Sequence, residues 1–104
     1  MSKDYQTDPF YLSAKWTRLR AAVLRRDGYM CQMAKRYGKR VQATHVHHIF
    51  PREDFPEYQY CAWNLISLCA DWHNKMHDRT TDGLTAEGQR LMERVARERN
   101  IPLP

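Results

Sequence analysis

The chain has 104 residues, 42% of them hydrophobic, and 17 lysines and arginines against 12 acidic side chains, for a net charge of +5. That length accommodates one domain with a modest core. No apolar run approaches the ~20 residues of a membrane-spanning helix, and no segment near the start has the make-up of a signal peptide, so a cytoplasmic location is expected. Three cysteines, an odd number, argue against a disulfide framework.

Residues 1–9 are polar, end in Pro9 and read as a flexible tail. From Phe10 to Arg26 the periodicity is helical: Leu12, Trp16, Leu19 and Val23 fall on one stripe, and Ser13 is placed to cap a helix beginning at Ala14. Asp27-Gly28 ends it. Nine basic residues crowd residues 15–40 against one acid, Asp27. Such clustering favours a polyanionic partner, because neutralising phosphates releases condensed counterions.

Residues 29–42, with Cys31 and the turn-like Tyr37-Gly38, read as a loop or knuckle. Residues 43–50 are rich in β-branched and aromatic side chains, stop at Pro51 and read as a short strand. Residues 51–61 read as a loop, and 64–69 as a second strand. Asp71 is placed to cap a helix over 72–77. After the Thr-Thr-Asp-Gly run at 80–83, Thr85 starts a final amphipathic helix with Leu91, Met92, Val95 and Ala96 inward and Pro102 and Pro104 at its end. The domain then spans 10–84, and residues 85–104 form a C-terminal helix packing on it.

All five histidines lie between residues 45 and 77. His73 and His77 have i, i+4 spacing, which on a helix puts two imidazoles on one face where they can share a metal. By itself the spacing fits two exposed polar side chains equally well. His47 and His48 point to opposite faces of an ideal strand, while His45 shares the face of His47 and is a rival ligand.

Taken in order, the 46–51 segment Val-His-His-Ile-Phe-Pro, the 64–69 segment Asn-Leu-Ile-Ser-Leu-Cys and the 73–77 segment His-Asn-Lys-Met-His resemble the HNH motif of the ββα-metal endonucleases. The preceding Trp16–Arg26 helix with Asp27 and Cys31 is similar to the small stand-alone HNH proteins of bacteriophages. The resemblance implies an α+β fold with a ββα-metal (His-Me finger) core flanked by N-terminal and C-terminal helices. It implies His48 as the general base, Asn64 as the residue holding that base and its loop, and His47, His73 and His77 as ligands of one divalent ion: Mg, Mn, Ni or Zn. DNA is the implied substrate, with no role for a membrane. Components of a phage packaging or other nuclease complex are the further implied partners, and host cytoplasm the implied location. Lys15, Arg18, Arg25, Lys35, Arg36 and Lys75 are the candidates for phosphate contact.

Many family members also carry two Cys-x-x-Cys knuckles around a structural zinc. Here each knuckle keeps one cysteine: Cys31 is followed by Ala34 and Cys69 by Trp72. Two thiolates do not fill a tetrahedral site, so no structural zinc is expected and Trp72 is read as an apolar plug. Three functions compete: an endonuclease, a DNA-binding module with a structural metal, and a nuclease active only in a larger complex. An adjacent second imidazole at His48 and an intact Asn64 favour the first.

Overall fold

The computed structural model describes residues 8–81 and 83–104. Ser13 divides the N-terminal periodic stretch into α1 (Pro9–Leu12) and α2 (Ala14–Arg26). Its extended backbone closes the first, and its hydroxyl accepts the Trp16 N–H at 3.1 Å to open the second. The break resets the helical phase, so Leu12 leaves the expected stripe and is exposed, whereas Trp16 and Val23 are buried. Asp8 and Pro9, expected in a flexible tail, are built into the fold. Asp8 caps α1 through the Phe10 N–H and pairs with Arg52 at 2.6 Å. Residues 1–7 of that tail lie outside the described residues.

Two left-handed residues, Gly28 (φ 63°) and Tyr29 (φ 61°), reverse the chain after α2. The expected loop over 29–42 contains a short helix, α3 (Gln32–Arg36). The Met30–Gln42 bridge and the Cys31 N–H donating to the Val41 carbonyl close the knuckle into a loop.

Strands β1 (His45–His48) and β2 (Leu65–Leu68) form an antiparallel hairpin in which His47 faces Ile66 and His48 faces Leu65. Both are shorter than the sequence suggests. Asn64 lies in the 3₁₀ turn Ala62–Asn64, just before β2. Helix α4 (Ala70–Met76) follows directly, capped at Cys69 rather than Asp71, and stops one residue before His77. Asp71 instead sits in its first turn, where a negative charge complements the helix dipole.

Helix α5 (Ala86–Arg99) is capped by Thr85, which accepts the Gly88 N–H and donates its hydroxyl to the Lys75 carbonyl. Gly88 lets α5 approach α4: a Cβ there would lie 2.5 Å from the Met76 carbonyl oxygen. The left-handed Asn100 (φ 56°) ends α5 before either proline does. Residue 82, within the expected break over 80–83, lies outside the described residues.

Trp16, Val23 and Leu65 form one core cluster, which joins α2 to the hairpin. Phe50, Leu68, Met76, Leu91 and Ala96 belong to the other, with Met92 and Val95 packed against it. The architecture is α+β: a ββα unit of β1, β2 and α4, with helices on either side in sequence. Among the described residues, no helix is long and apolar enough to cross a membrane.

Candidate active site

Strand alternation sends His47 and His48 to different surroundings. His47 is 1% exposed, with its ring 5.0 Å from that of His77 and 5.9 Å from that of His73. One nitrogen from each of these three imidazoles lies within 4.8 Å of the others. The expectation that α4 would carry both His73 and His77 is corrected. His77 is extended and bridges Leu84, yet its ring remains 5.0 Å from His73. Three imidazoles from a strand, a helix and the segment after it therefore converge on one point.

Both ring nitrogens of His47 are buried without a hydrogen-bond partner among the described residues. A neutral imidazole has one donor and one acceptor, and leaving either unmet inside a protein is unfavourable. A cation taking the lone pair resolves half of that deficit, and converging neutral imidazoles are the donor set that divalent transition metals prefer. The residues present fit a metal ion. His45, the rival ligand, is not one of the three. It stacks on His73 at 4.6 Å, and its Nδ1 lies 2.8 Å from the Thr44 hydroxyl.

His48 is built differently. Its ring stacks on Trp16 at 5.1 Å and 20°, with Phe10 5.7 Å away, and its Nε2 is 3.1 Å from the Gln59 carbonyl oxygen. A carbonyl only accepts, so Nε2 carries the hydrogen and Nδ1 keeps the lone pair. Asn64, fully buried, fastens the loop that supplies this carbonyl. Its Oδ1 accepts the Phe50 N–H at 2.7 Å, and its Nδ2 donates to the carbonyls of Phe50 and Tyr58. Phe50, two residues past β1, and Tyr58, the residue before Gln59, are thus tied to one side chain.

Burial lowers the pKa of every histidine in this region for which a shift is resolved, because it penalises the charged ring. For His47 burial and then the neighbouring His77, His73 and His48 push it well below its usual value. His48 falls to about 4, through burial and then Arg52 and His77, against the opposing Gln59 hydrogen bond. His73 also falls to about 4, through burial, His77 and His45. His45 is lowered by burial and Arg20. At neutral pH these four rings are uncharged and able to accept a proton or a metal.

All five histidines line one cleft of about 1300 Å³, together with Arg20, Arg52 and Arg79. The six basic side chains expected to contact phosphate do not line it; all are exposed elsewhere. The Lys15 ammonium lies 3.8 Å above the Tyr60 ring and that of Lys75 4.5 Å above Trp72. A signal for Arg20 was present: it stands one helical turn after Trp16, on the side of α2 that meets the strands.

Away from the imidazoles, Cys31, Ala34 and Cys69 are buried in one apolar cluster, with Trp72 packed against it and Tyr37 stacked on Trp72 at 5.7 Å. The cysteines are free thiols, and Cys61 lies apart, its sulfur 3.9 Å from the Glu57 carbonyl oxygen.

No family model and no curated protein matches the chain. Among solved structures it is similar to the HNH endonuclease of the deep-sea thermophilic bacteriophage GVE2, crystallised with manganese ion. The two are 38% identical with a TM-score of 0.65, over 82% of this chain and 84% of that one.

Proposed function

The chain belongs to the HNH endonuclease family, and on that premise we propose that it is a divalent-metal-dependent endonuclease hydrolysing DNA phosphodiester bonds, with His48 as the general base. The observation that carries this is the division of labour between adjacent residues. His47, whose two ring nitrogens have no partner among the described residues, joins His73 and His77 in a cluster. His48 stands outside that cluster, with one nitrogen committed to a carbonyl and the other holding a lone pair.

His47, His73 and His77 would hold the ion. When bound, it supplies positive charge to a phosphodiester whose own charge repels nucleophiles and whose alkoxide leaves poorly. Three imidazoles favour a transition metal such as Mn, Ni or Zn over Mg, and the GVE2 enzyme was crystallised with manganese.

The chain's own groups do the rest. The neutral His48 ring accepts the proton of the attacking water at Nδ1, and the Gln59 carbonyl stabilises the resulting imidazolium through Nε2–H. Asn64 holds that carbonyl's loop against β1. Arg20 and Arg79 stand in the cleft wall, among the acidic Glu53, Asp54 and Asp78, as the cations that would meet DNA phosphates, while Arg52 is paired with Asp8. The resemblance adds 5′-phosphate and 3′-hydroxyl ends. A DNA-binding module with a purely structural metal would have no use for a second, tautomer-fixed imidazole.

Nicking of supercoiled plasmid across a series of divalent ions, with EDTA as control, tests the proposal. Metal-dependent nicking abolished by EDTA is expected; tight DNA binding without nicking under any ion would leave the binding module instead. Cleavage that appears only on adding phage packaging proteins would assign the activity to a complex.

A further inference from the structure

The first two helices contribute an aromatic wall to the site that the proposed chemistry has not used. Trp16, 5% exposed, lies nearly parallel to His48 at 5.1 Å. Phe10 and Tyr11, from α1, meet both rings: Phe10 is 5.3 Å from Trp16 and 5.7 Å from His48, and Tyr11 stands edge-on to Trp16 at 5.4 Å and to His48 at 6.3 Å. Trp16 is itself held by the Ser13 cap on its N–H and by burial against Val23 and Leu65.

An imidazole has two degrees of freedom that matter to a base: which nitrogen carries the hydrogen, and the plane in which the lone pair points. The Gln59 carbonyl decides the first. One hydrogen bond at the edge of a ring leaves rotation about the bond axis open. A flat indole against the face closes it, because tilting the ring forfeits the stacked contact. We propose that Trp16 is a positioning residue for catalysis, setting the plane of His48 so that the Nδ1 lone pair points into the cleft. This rests on the reading of His48 as the base. Neither partner's sequence neighbourhood shows the pairing, since Trp16 reads there as one more apolar position on a helical stripe.

The test compares Trp16→Phe with Trp16→Leu, both of which keep the site apolar, and measures Mn²⁺ affinity alongside as a readout of the intact ligand cluster. Trp16→Leu should lower kcat on plasmid DNA about tenfold or more, with KM and Mn²⁺ affinity changed by less than about twofold, and Trp16→Phe should restore most of the rate. A second arm uses His48→Gly rescued by exogenous imidazole. Adding Trp16→Leu to that background should raise the imidazole concentration for half-rescue about tenfold, because the slot loses its stacking face.

Should Trp16→Leu not fold, nitrogen NMR of the unaltered protein decides. A single Nε2–H tautomer with a fixed ring contact to Trp16 supports the proposal, and a mobile ring overturns it. Full-rate cleavage by Trp16→Leu beside an inactive His48→Ala overturns the role of Trp16 alone. Undiminished cleavage by His48→Ala overturns the base assignment and this proposal with it.

Discussion

The histidine cluster, set on β1, α4 and the residue after it, and the cysteine corner, set on α3 and the start of α4, are finished in opposite ways. At the first, His47 buries two ring nitrogens that no group among the described residues satisfies. At the second, Cys31 and Cys69 are as deeply placed, but their neighbours are Ala34, Met33, Phe50 and the Trp72 ring. Thiols are weakly polar and lose little among apolar groups, whereas unmet imidazole nitrogens are unfavourable until something binds them. One corner is closed by packing and the other asks for a ligand, so a metal should matter to function at one and to nothing at the other.

The sharpest way to break that comparison is at the histidines. His48→Ala should lower cleavage by about 10²- to 10⁴-fold, the usual worth of a general base, while leaving Mn²⁺ binding nearly intact. His73→Ala should lose both. Calorimetric titration beside a nicking assay separates the two, and equal loss of metal affinity would merge His48 with the ligands.

At the cysteine corner the expected effect is on folding. Trp72 is half-buried, so Trp72→Ala should cost roughly 2–3 kcal/mol, somewhat less than a fully buried ring, with Mn²⁺ stoichiometry unchanged in the folded fraction. Elemental analysis after dialysis against chelator should find no zinc retained by Cys31 and Cys69. Ala34→Cys combined with Trp72→Cys should make denaturation midpoints depend on zinc, by rebuilding four thiolates.

Acid should act on the histidines of the site and spare the corner. His48 and His73 titrate near 4 in the fold and near 6.5 when unfolded. Their neutral rings therefore contribute stability that is complete above about pH 6.5 and is lost as pH falls toward about 4. The loss is on the order of 3 kcal/mol for each ring. Urea midpoints of metal-free protein should fall over that window in the unaltered chain and fall less in His73→Phe. Asp27 adds a later loss. Burial raises its pKa, but hydrogen bonds from Arg26 and Ser67 hold it below its ordinary value, so its contribution disappears only as pH drops below about 4.

The smallest effect concerns where DNA lies. Arg20→Gln with Arg79→Gln should flatten the dependence of log affinity on log salt by up to ~2 units. Arg18→Gln with Arg25→Gln, on the exposed face of α2, should change it less. The reverse ranking would move the DNA from the cleft to that face.

Much of this was legible in the sequence because it is local. Ser13 and Thr85 announce helix starts through caps that reach only two or three residues, and Asp27-Gly28 announces a stop. The ordered residues His47-His48, Asn64 and His73 to His77 carry a resemblance to the HNH motif, and that resemblance implies the ββα unit. Where the expected helix failed, a competing contact had outweighed it. The bridge to Leu84 took His77 off the helix, and the Ser13 break moved Leu12 out of phase.

What the sequence determined by itself was the inventory: which imidazoles, which amide and which lost cysteines this fold would have to place. The tertiary structure decided their surroundings. It took His47 and His48, adjacent in the chain, to a cluster of three imidazoles and an aromatic slot respectively. It brought the Gln59 carbonyl to one nitrogen of His48 and the Trp16 ring to its face. It lined the cleft with Arg20, Arg52 and Arg79 in place of the basic residues that sequence density favours. Composition and periodicity report short-range preferences, while a site assembled from α2, β1, the 51–61 loop and α4 depends on contacts between residues tens of positions apart, whose energies exist only once the chain has closed.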